Sequence, residues 1–361
     1  MMIDLVRDAL GALRDSAVAL SGAPFDPGHR IFLLYVASSI LVAWFVYRGI
    51  RASGDRATRQ DARDAQGGFL RYLFPRSVWS HPSAWLDLRY FFFHRITVHA
   101  LLFGLGAWAT VLGFLLVSRD MSFSAALAAS DRATSGADLA IAVLYLVISA
   151  LVADFIGFLV HYLQHKVPIL WQFHKVHHSA EVMHPISNFR EHPVDNASYI
   201  LCIGLGYGLL NGLSAELFGY IPTTPTLLGV PVLMFLFNLV AYNLRHSHVW
   251  LRWPGVWSKV FPSPAHHHVH HSCHPDHLDK NFAFMFPVWD VIFGTYHMPE
   301  DNRDVKFGTV EDSSQLNSCL RLYWVPFRDA FNVLRHGRAA VHEPANPAPD
   351  RDGGRGARGH E

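Results

Sequence analysis

Five apolar runs punctuate the chain, at positions 31–47, 97–117, 139–160, 199–221 and 226–244. A helix needs about 20 mostly apolar residues to cross the core of a bilayer. The runs at 97–117 and 139–160 are the strongest, those at 199–221 and 226–244 are also long enough, and the run at 31–47 is the shortest. Only a turn at Pro222 and Pro225 separates the last two runs. They therefore form either two spans or one re-entrant hairpin. The pattern predicts an all-α fold: an integral membrane helical bundle of about 4–5 spans with a helical cap on one side.

The polar segments set an orientation. Between the first two runs stand Arg48, Arg51, Arg56, Arg59, Arg63, Arg71, Arg76, Arg89 and Arg95. Cytoplasmic loops carry such an excess of basic residues. With that loop inside, the run at 97–117 leads out and the run at 139–160 leads back. Residues 161–192 are then cytoplasmic, and so is everything from His246 onward. Trp250, Trp253, Trp257 and Phe261 suit a cap lying against the interface, where aromatic rings concentrate. Positions 1–20 read as a short amphipathic helix without the pattern of a secretory signal. The Pro/Gly/Arg-rich end, from about position 343, reads as disordered. Three parts are expected: a membrane anchor with its basic loop (1–138), a central domain (139–300) and a C-terminal extension (301–361).

Composition agrees. Hydrophobic residues make up 51% and charged residues 16%, against about 25% charged in soluble domains. The net charge of +1 gives no reason to expect a nucleic-acid partner. Cys202, Cys273 and Cys319 are far apart and form no CxxC. A disulfide framework, an iron–sulfur cluster and a thiolate zinc site are therefore not expected.

Histidine changes the picture. The chain has 24, and seventeen of them lie from His161 to His297. Three clusters stand out: His161 and His165; His174, His177 and His178; His267, His270 and His271. Residues three and four apart share a helix face, so each cluster can aim two or three imidazoles at one point. Neutral imidazole is the commonest metal ligand. Eight rings exceed the four ligands of a tetrahedral zinc and suit two ions of higher coordination. The positive-inside argument, which used no histidine, puts all three clusters on one membrane face. Beside lipid, the substrate offers inert C–H bonds. Breaking one requires an oxidant, which favours iron over redox-inactive zinc. Asp154, about two turns before His161, is either a group that orients a ligand ring or a wet position inside a helix.

From 153 to 296 the chain resembles the fatty acid hydroxylase superfamily, also called the sterol desaturase family, of membrane-bound di-iron oxygenases. Asp154 and Phe155 through His161 and His165 look like its first box. WQFHKVHHS, from Trp171 to Ser179, looks like the second, and NFREHP, from Asn188 to Pro193, like the arginine–proline motif that follows. PAHHHVHHS, from Pro264 to Ser272, resembles the third box. DKNF, from Asp279 to Phe282, and WDVIFGT, from Trp289 to Thr295, resemble the closing signature.

The resemblance implies a helical anchor with a cytoplasmic histidine-rich cap and O2-dependent hydroxylation or desaturation of a membrane lipid such as a sterol or fatty acyl lipid. It implies two Fe ions held by His161, His165, His174, His177, His178, His246, His267, His270 and His271. His246 is added by its position between the second and third boxes. Tyr242 stands where some relatives place a further nitrogen ligand, for which His248 or His266 might substitute. His184, His274 and His277 are expected outside the ligand set. Asn281 and Asp290 either fix imidazole tautomers or pack the Trp289 segment. No nicotinamide or flavin fingerprint is present, so electrons are expected from a separate NAD(P)H-dependent reductase protein. The basic 48–95 loop is one place for such a donor to dock. An Ala-, Arg- and Gly-rich composition leans toward a bacterial inner membrane, with the site facing the cytoplasm. The rival reading is a metal-binding or metal-transporting membrane protein, which needs ligating or charged groups along a path through the spans.

Overall fold

The computed structural model describes residues 20–53, 59–130, 136–240, 242–299 and 305–337, with Gly11 and Val18. Most of the expected N-terminal amphipathic helix, and the tail from 343, lie outside the described residues.

The fold is helical. Its framework is α1 (Leu33–Ser53), α2 (Pro82–Val117), α3 (Gly136–Lys166) and α5 (Pro193–Phe218), with α4 (Pro168–His178) turning between α3 and α5. Leu33–Ala52, Leu139–Lys166 and Pro193–Phe218 are long and apolar enough to cross a bilayer, and Gly104–Val117 is a shorter apolar stretch of α2. Proline opens α2, α4 and α5 at the first helical position, where its missing N–H costs no hydrogen bond. His81 and His192 cap α2 and α5 by accepting from the backbone of Ser83 and Val194. Leu115 and Leu116 on α2 and Leu139 and Leu144 on α3 stand exposed, as side chains that face lipid do.

The run at 226–244 is not a span. Thr226–Leu227 and Val230–Pro231 pair as a tiny antiparallel hairpin. Leu228 and Gly229 turn it with φ of 51° and 80°, the left-handed pair that a two-residue hairpin turn requires. The helix that follows, α6 (Val232–Leu239), has 8 residues, about 12 Å at 1.5 Å per residue. The bilayer core is about 30 Å thick. Prolines at 222, 225 and 231 stop any longer helix, so the chain returns toward the histidines through the β-hairpin and this short helix.

α2 and α5 pack closest. Gly204, Gly208 and Gly212 recur every fourth residue on α5, facing Gly106, Thr110, Gly113 and Phe114. A Cβ on Gly204 would come 2.8 Å from the Gly106 carbonyl oxygen, and one on Gly208 would collide with the Thr110 carbonyl. Small residues at this spacing let two backbones touch, the packing that replaces the hydrophobic effect inside a bilayer.

Beyond the spans, the segment 242–299 folds back over the ends of α3, α4 and α5 and carries α7 (Pro264–His270) and α8 (Val288–Phe293). Leu244 and Val249 pack with Ala43, Tyr47 and Tyr72, which pins the stretch carrying His246 to α1. The C-terminal extension is folded where described: α9 (Cys319–His336) lies along α4. There Lys175 meets Asp329 at 2.8 Å, with both side chains largely buried.

Candidate metal centre

Each sequence cluster comes from the end of one element. α3 carries His161 and His165 one turn apart in its last turns. α4 carries His174, His177 and His178. α7 carries His267 and His270, with His271 as its C-cap. His246 follows the helical turn Tyr242–Leu244.

The nine rings gather into two groups, each with nitrogens within 4.8 Å of one another. One is His161, His165, His174, His178 and His270; the other is His177, His246, His267 and His271. α4 sends its i, i+4 pair (His174, His178) to the first group and His177 to the second. α7 does the reverse: His267 and His271 go to the second and His270 to the first. An i, i+4 pair shares one helix face while the intermediate i+3 residue diverges slightly. Two short helices of opposite assignment can thus supply two adjacent sites.

The outer nitrogens are committed. His161 Nδ1 lies 2.9 Å from the Phe282 carbonyl oxygen, His270 Nδ1 2.9 Å from that of Lys280 and His177 Nδ1 3.2 Å from that of Arg190. His174 Nδ1 lies 3.2 Å from both Asp195 oxygens, and His165 Nδ1 3.4 Å from Asp279 Oδ1. A carbonyl or carboxylate only accepts, so in His161, His270, His177 and His174 Nδ1 donates and Nε2 keeps its lone pair, turned inward. The Nε2 atoms of His161, His174 and His270 are buried with no hydrogen-bond partner. A polar atom left so costs about 1–3 kcal/mol. Three such lone pairs, converging with each ring's outer nitrogen pinned, fit metal coordination.

In the second group, Ser187 Oγ stands 3.2 Å from His246 Nδ1 and Arg245 Nη2 3.0 Å from His267 Nδ1. A guanidinium only donates, so in this arrangement the His267 proton sits on Nε2; to hold an ion there as a neutral ligand, the ring would carry its proton on Nδ1 and give up the Arg245 contact. The Nε2 atoms of His246 and His267 are 2.7 Å apart, and those of His267 and His271 3.0 Å. Burial pushes His174 and His177 down to about 3. It also lowers His178, His246, His267, His270 and His271, with neighbouring rings adding repulsion. The cluster is therefore neutral, the form that ligates.

Asp154, Asn281 and Asp290 touch none of these nine rings; they hold the collar that does. Asp290 accepts from Phe282 N and Ala283 N, each at 2.8 Å, and from Thr295 Oγ1 at 2.7 Å. This fixes the backbone whose carbonyl takes His161. Asn281, at φ 57°, ties the His266 and His297 backbones. Asp154 clamps Met285 N at 2.6 Å, Phe286 N at 2.9 Å and Trp289 Nε1 at 2.9 Å.

Outside both groups, His184 is buried against Asp87 at 2.9 Å, His277 bonds Ser272 and His274 caps Asp276 N. His248 meets the Tyr72 carbonyl and His266 meets Ser263. Sequence reasoning did not single out Asp195, Asp279, Ser187 or Arg245 behind the rings. It also left Arg190 without a role. Its buried side chain pairs with Asp87 and bonds Ser179 and Ser83, locking the start of α2 to the end of α4.

A cavity of about 640 Å³ opens on both groups, at His161, His174, His177, His246 and His267. It runs between α3 and α5 past Gly157, Ala153, Ile200 and Ile203 to Tyr145 and Tyr207. From His161 to Tyr145 that is about 24 Å along the helix, the length of a lipid chain rather than of a small metabolite.

Residues 146–295 match the family described as fatty acid hydroxylase. The chain is 28% identical over 147 residues to alkylglycerol monooxygenase of Danio rerio, covering 40% of this chain and 28% of that protein. It is 29% identical to ornithine lipid hydroxylase of Rhizobium tropici, covering 42% of each chain. It is 31% identical to a cholesterol 25-hydroxylase-like protein of Danio rerio, covering 41% of this chain and 53% of that one. The matches thus span between about a quarter and a half of these relatives' lengths. No solved structure gives a significant match.

Proposed function

Because residues 146–295 match the fatty acid hydroxylase family, we propose that this membrane protein is an oxidoreductase that hydroxylates a lipid with O2, using two iron ions held by the nine histidines. The observation that carries the reading is the joint one: two neutral, buried histidine groups facing a single apolar cavity of lipid length. Bound iron would supply the redox chemistry that activates O2.

The chain's own part is positional. The Phe282 and Lys280 carbonyls and the Asp195 carboxylate hold the tautomers of His161, His270 and His174. Asp290 and Asp154 keep the collar carrying two of those carbonyls in place. Ala150, Ala153 and Gly157, with little side chain, leave the width for a substrate chain. The apolar wall excludes water and sets which carbon lies beside the histidines. In this reading electrons come from a separate NAD(P)H-dependent reductase; the arginine-rich 48–95 stretch supports a cytoplasmic face for the site, and the Ala-, Arg- and Gly-rich composition supports a bacterial inner membrane. Metal transport is disfavoured by how the polar groups in the spans are used. Asp154 is consumed by the 285–289 loop, Asn211 by Tyr145 and Glu216 by Arg119 N.

The test is lipid analysis of cells with and without the gene under 18O2. A lipid gaining one labelled oxygen, lost in His177→Ala and His270→Ala, is the expected result. Unchanged lipids, or full turnover in either variant, contradict the reading.

A further inference from the structure

One charged group in the cavity takes no part in holding the histidines. Arg30 lines it together with Asn188, Glu191 and Asn196. Its guanidinium carbon sits 4.6 Å from the centroid of the Tyr242 ring. Its backbone is anchored where Asn243 Nδ2 donates to the Arg30 carbonyl at 3.1 Å. Among the described residues that guanidinium makes no hydrogen bond and no ion pair, so it retains five N–H donors for a ligand. Arg95, held by His29 at 2.6 Å, is near enough for the two arginines to repel. Glu191 makes no ion pair with it; burial and Asp195 push the Glu191 carboxyl up to about 7, with Arg30 drawing it the other way.

The polar wall is also tied to the histidines. Asn188 follows Ser187, which meets His246; Glu191 follows Arg190, whose carbonyl meets His177; Asn196 follows Asp195, which meets His174. Arg245, whose Nη2 reaches His267, lies over the same Tyr242 ring at 5.6 Å. The polar wall is thus one residue, or one ring, from the histidine supports. The apolar end lies about 24 Å away along α3.

We propose that Arg30, with Asn188, receives an anionic head group, carboxylate or phosphate, of an amphiphilic lipid whose chain runs between α3 and α5. Planar, bidentate recognition of such anions is what a guanidinium does best. Resting on the lipid-oxidation reading, a second consequence follows: the oxidised carbon is among the first few from the head, not at the far end of the chain.

Binding to the metal-free full-length protein in neutral detergent separates the two claims. The probes are an N-acylglycine, its methyl ester and a lysophosphatidic acid with the same chain. The expected result is at least about tenfold tighter binding of the free acid or the phosphate than of the ester, a difference of about 1.4 kcal/mol. Arg30→Gln should abolish that preference with ester binding unchanged, and Arg30→Lys should keep most of it. The acid and phosphate arms identify the anion. Equal binding of acid and ester by the wild type overturns the proposal without any variant, as does a preference that survives Arg30→Gln. With iron loaded, oxygen found at the far end of the chain overturns the placement. A head-group preference in a protein that never turns over would sink the oxidation reading and leave this one standing.

Discussion

Behind the five-histidine group stand carboxylates; behind the four-histidine group stands a guanidinium. Asp195 takes His174 and Asp279 takes His165, whereas Arg245 is the group on His267 and a neutral hydroxyl, Ser187, the group on His246. A carboxylate behind an imidazole raises its basicity toward a metal; a cation in the same place lowers it. The four-histidine group also has one ring fewer and contributes three of the five histidines that line the cavity. Two sites built from the same helices are therefore unequal. On the proposed reading, the first is suited to retain an ion, and the second to hold one more loosely beside the cavity.

The largest expected effects come from removing a ligand in each group. His270→Ala and His267→Ala should each reduce turnover by more than the roughly 10–100-fold typical of an outer partner. Their metal contents should differ: His267→Ala keeps one tightly bound ion per chain, while His270→Ala keeps both with the first weakened. Metal analysis after chelator challenge distinguishes the two.

Next come the outer partners. Asp195→Asn should weaken the ion of the five-histidine group by about 10–100-fold. Ser187→Ala should have a smaller effect, confined to the four-histidine group. Equal effects from the two substitutions would remove the charge asymmetry from the account.

Acid should strike both groups of the metal-free protein. His174 and His177 are held down to about 3 when folded, against about 6.5 in an unfolded chain. Between those values the unfolded state binds more protons, so stability rises with pH. The contribution is complete above about 6.5 and is lost as pH falls toward 3. Thermal melts of the metal-free protein across that window should fall with acid, and bound metal should flatten the dependence.

The smallest effect on the site belongs to Gly208→Ala. It overpacks the α2–α5 contact, costing about 1–3 kcal/mol of stability, while the ratio of the two metal affinities stays as in the wild type. Melting temperature and metal titration read these separately.

The histidines were legible because helical spacing writes itself into sequence. His174, His178, His267 and His271 are i, i+4 pairs, and the positive-inside bias had already put the clusters on one face. What escaped has little local signature. The Lys280 and Phe282 carbonyls that orient His270 and His161 are backbone atoms. Asp195 sits 21 residues from His174 and reads on its own as an acid in the first turn of a span, a favourable position at a helix N-terminus. Asp154 invited a role beside His161 by helical distance, but its partners are 131 to 135 residues away in the chain. The runs at 199–221 and 226–244 left two spans or one re-entrant hairpin open; the first lies in a helix of spanning length, and Leu228, Gly229 and three prolines break the second into a β-hairpin and a short helix. The glycines at 204, 208 and 212 form a helix-contact spacing that span length alone does not reveal.

Anaerobic titration of the metal-free protein with Fe(II) tests the central claim most directly. Two equivalents per chain, bound with distinct affinities, with the weaker one lost in His267→Ala, is the predicted result. Binding of no iron, or of a single class of ions indifferent to both His267→Ala and His270→Ala, would contradict it.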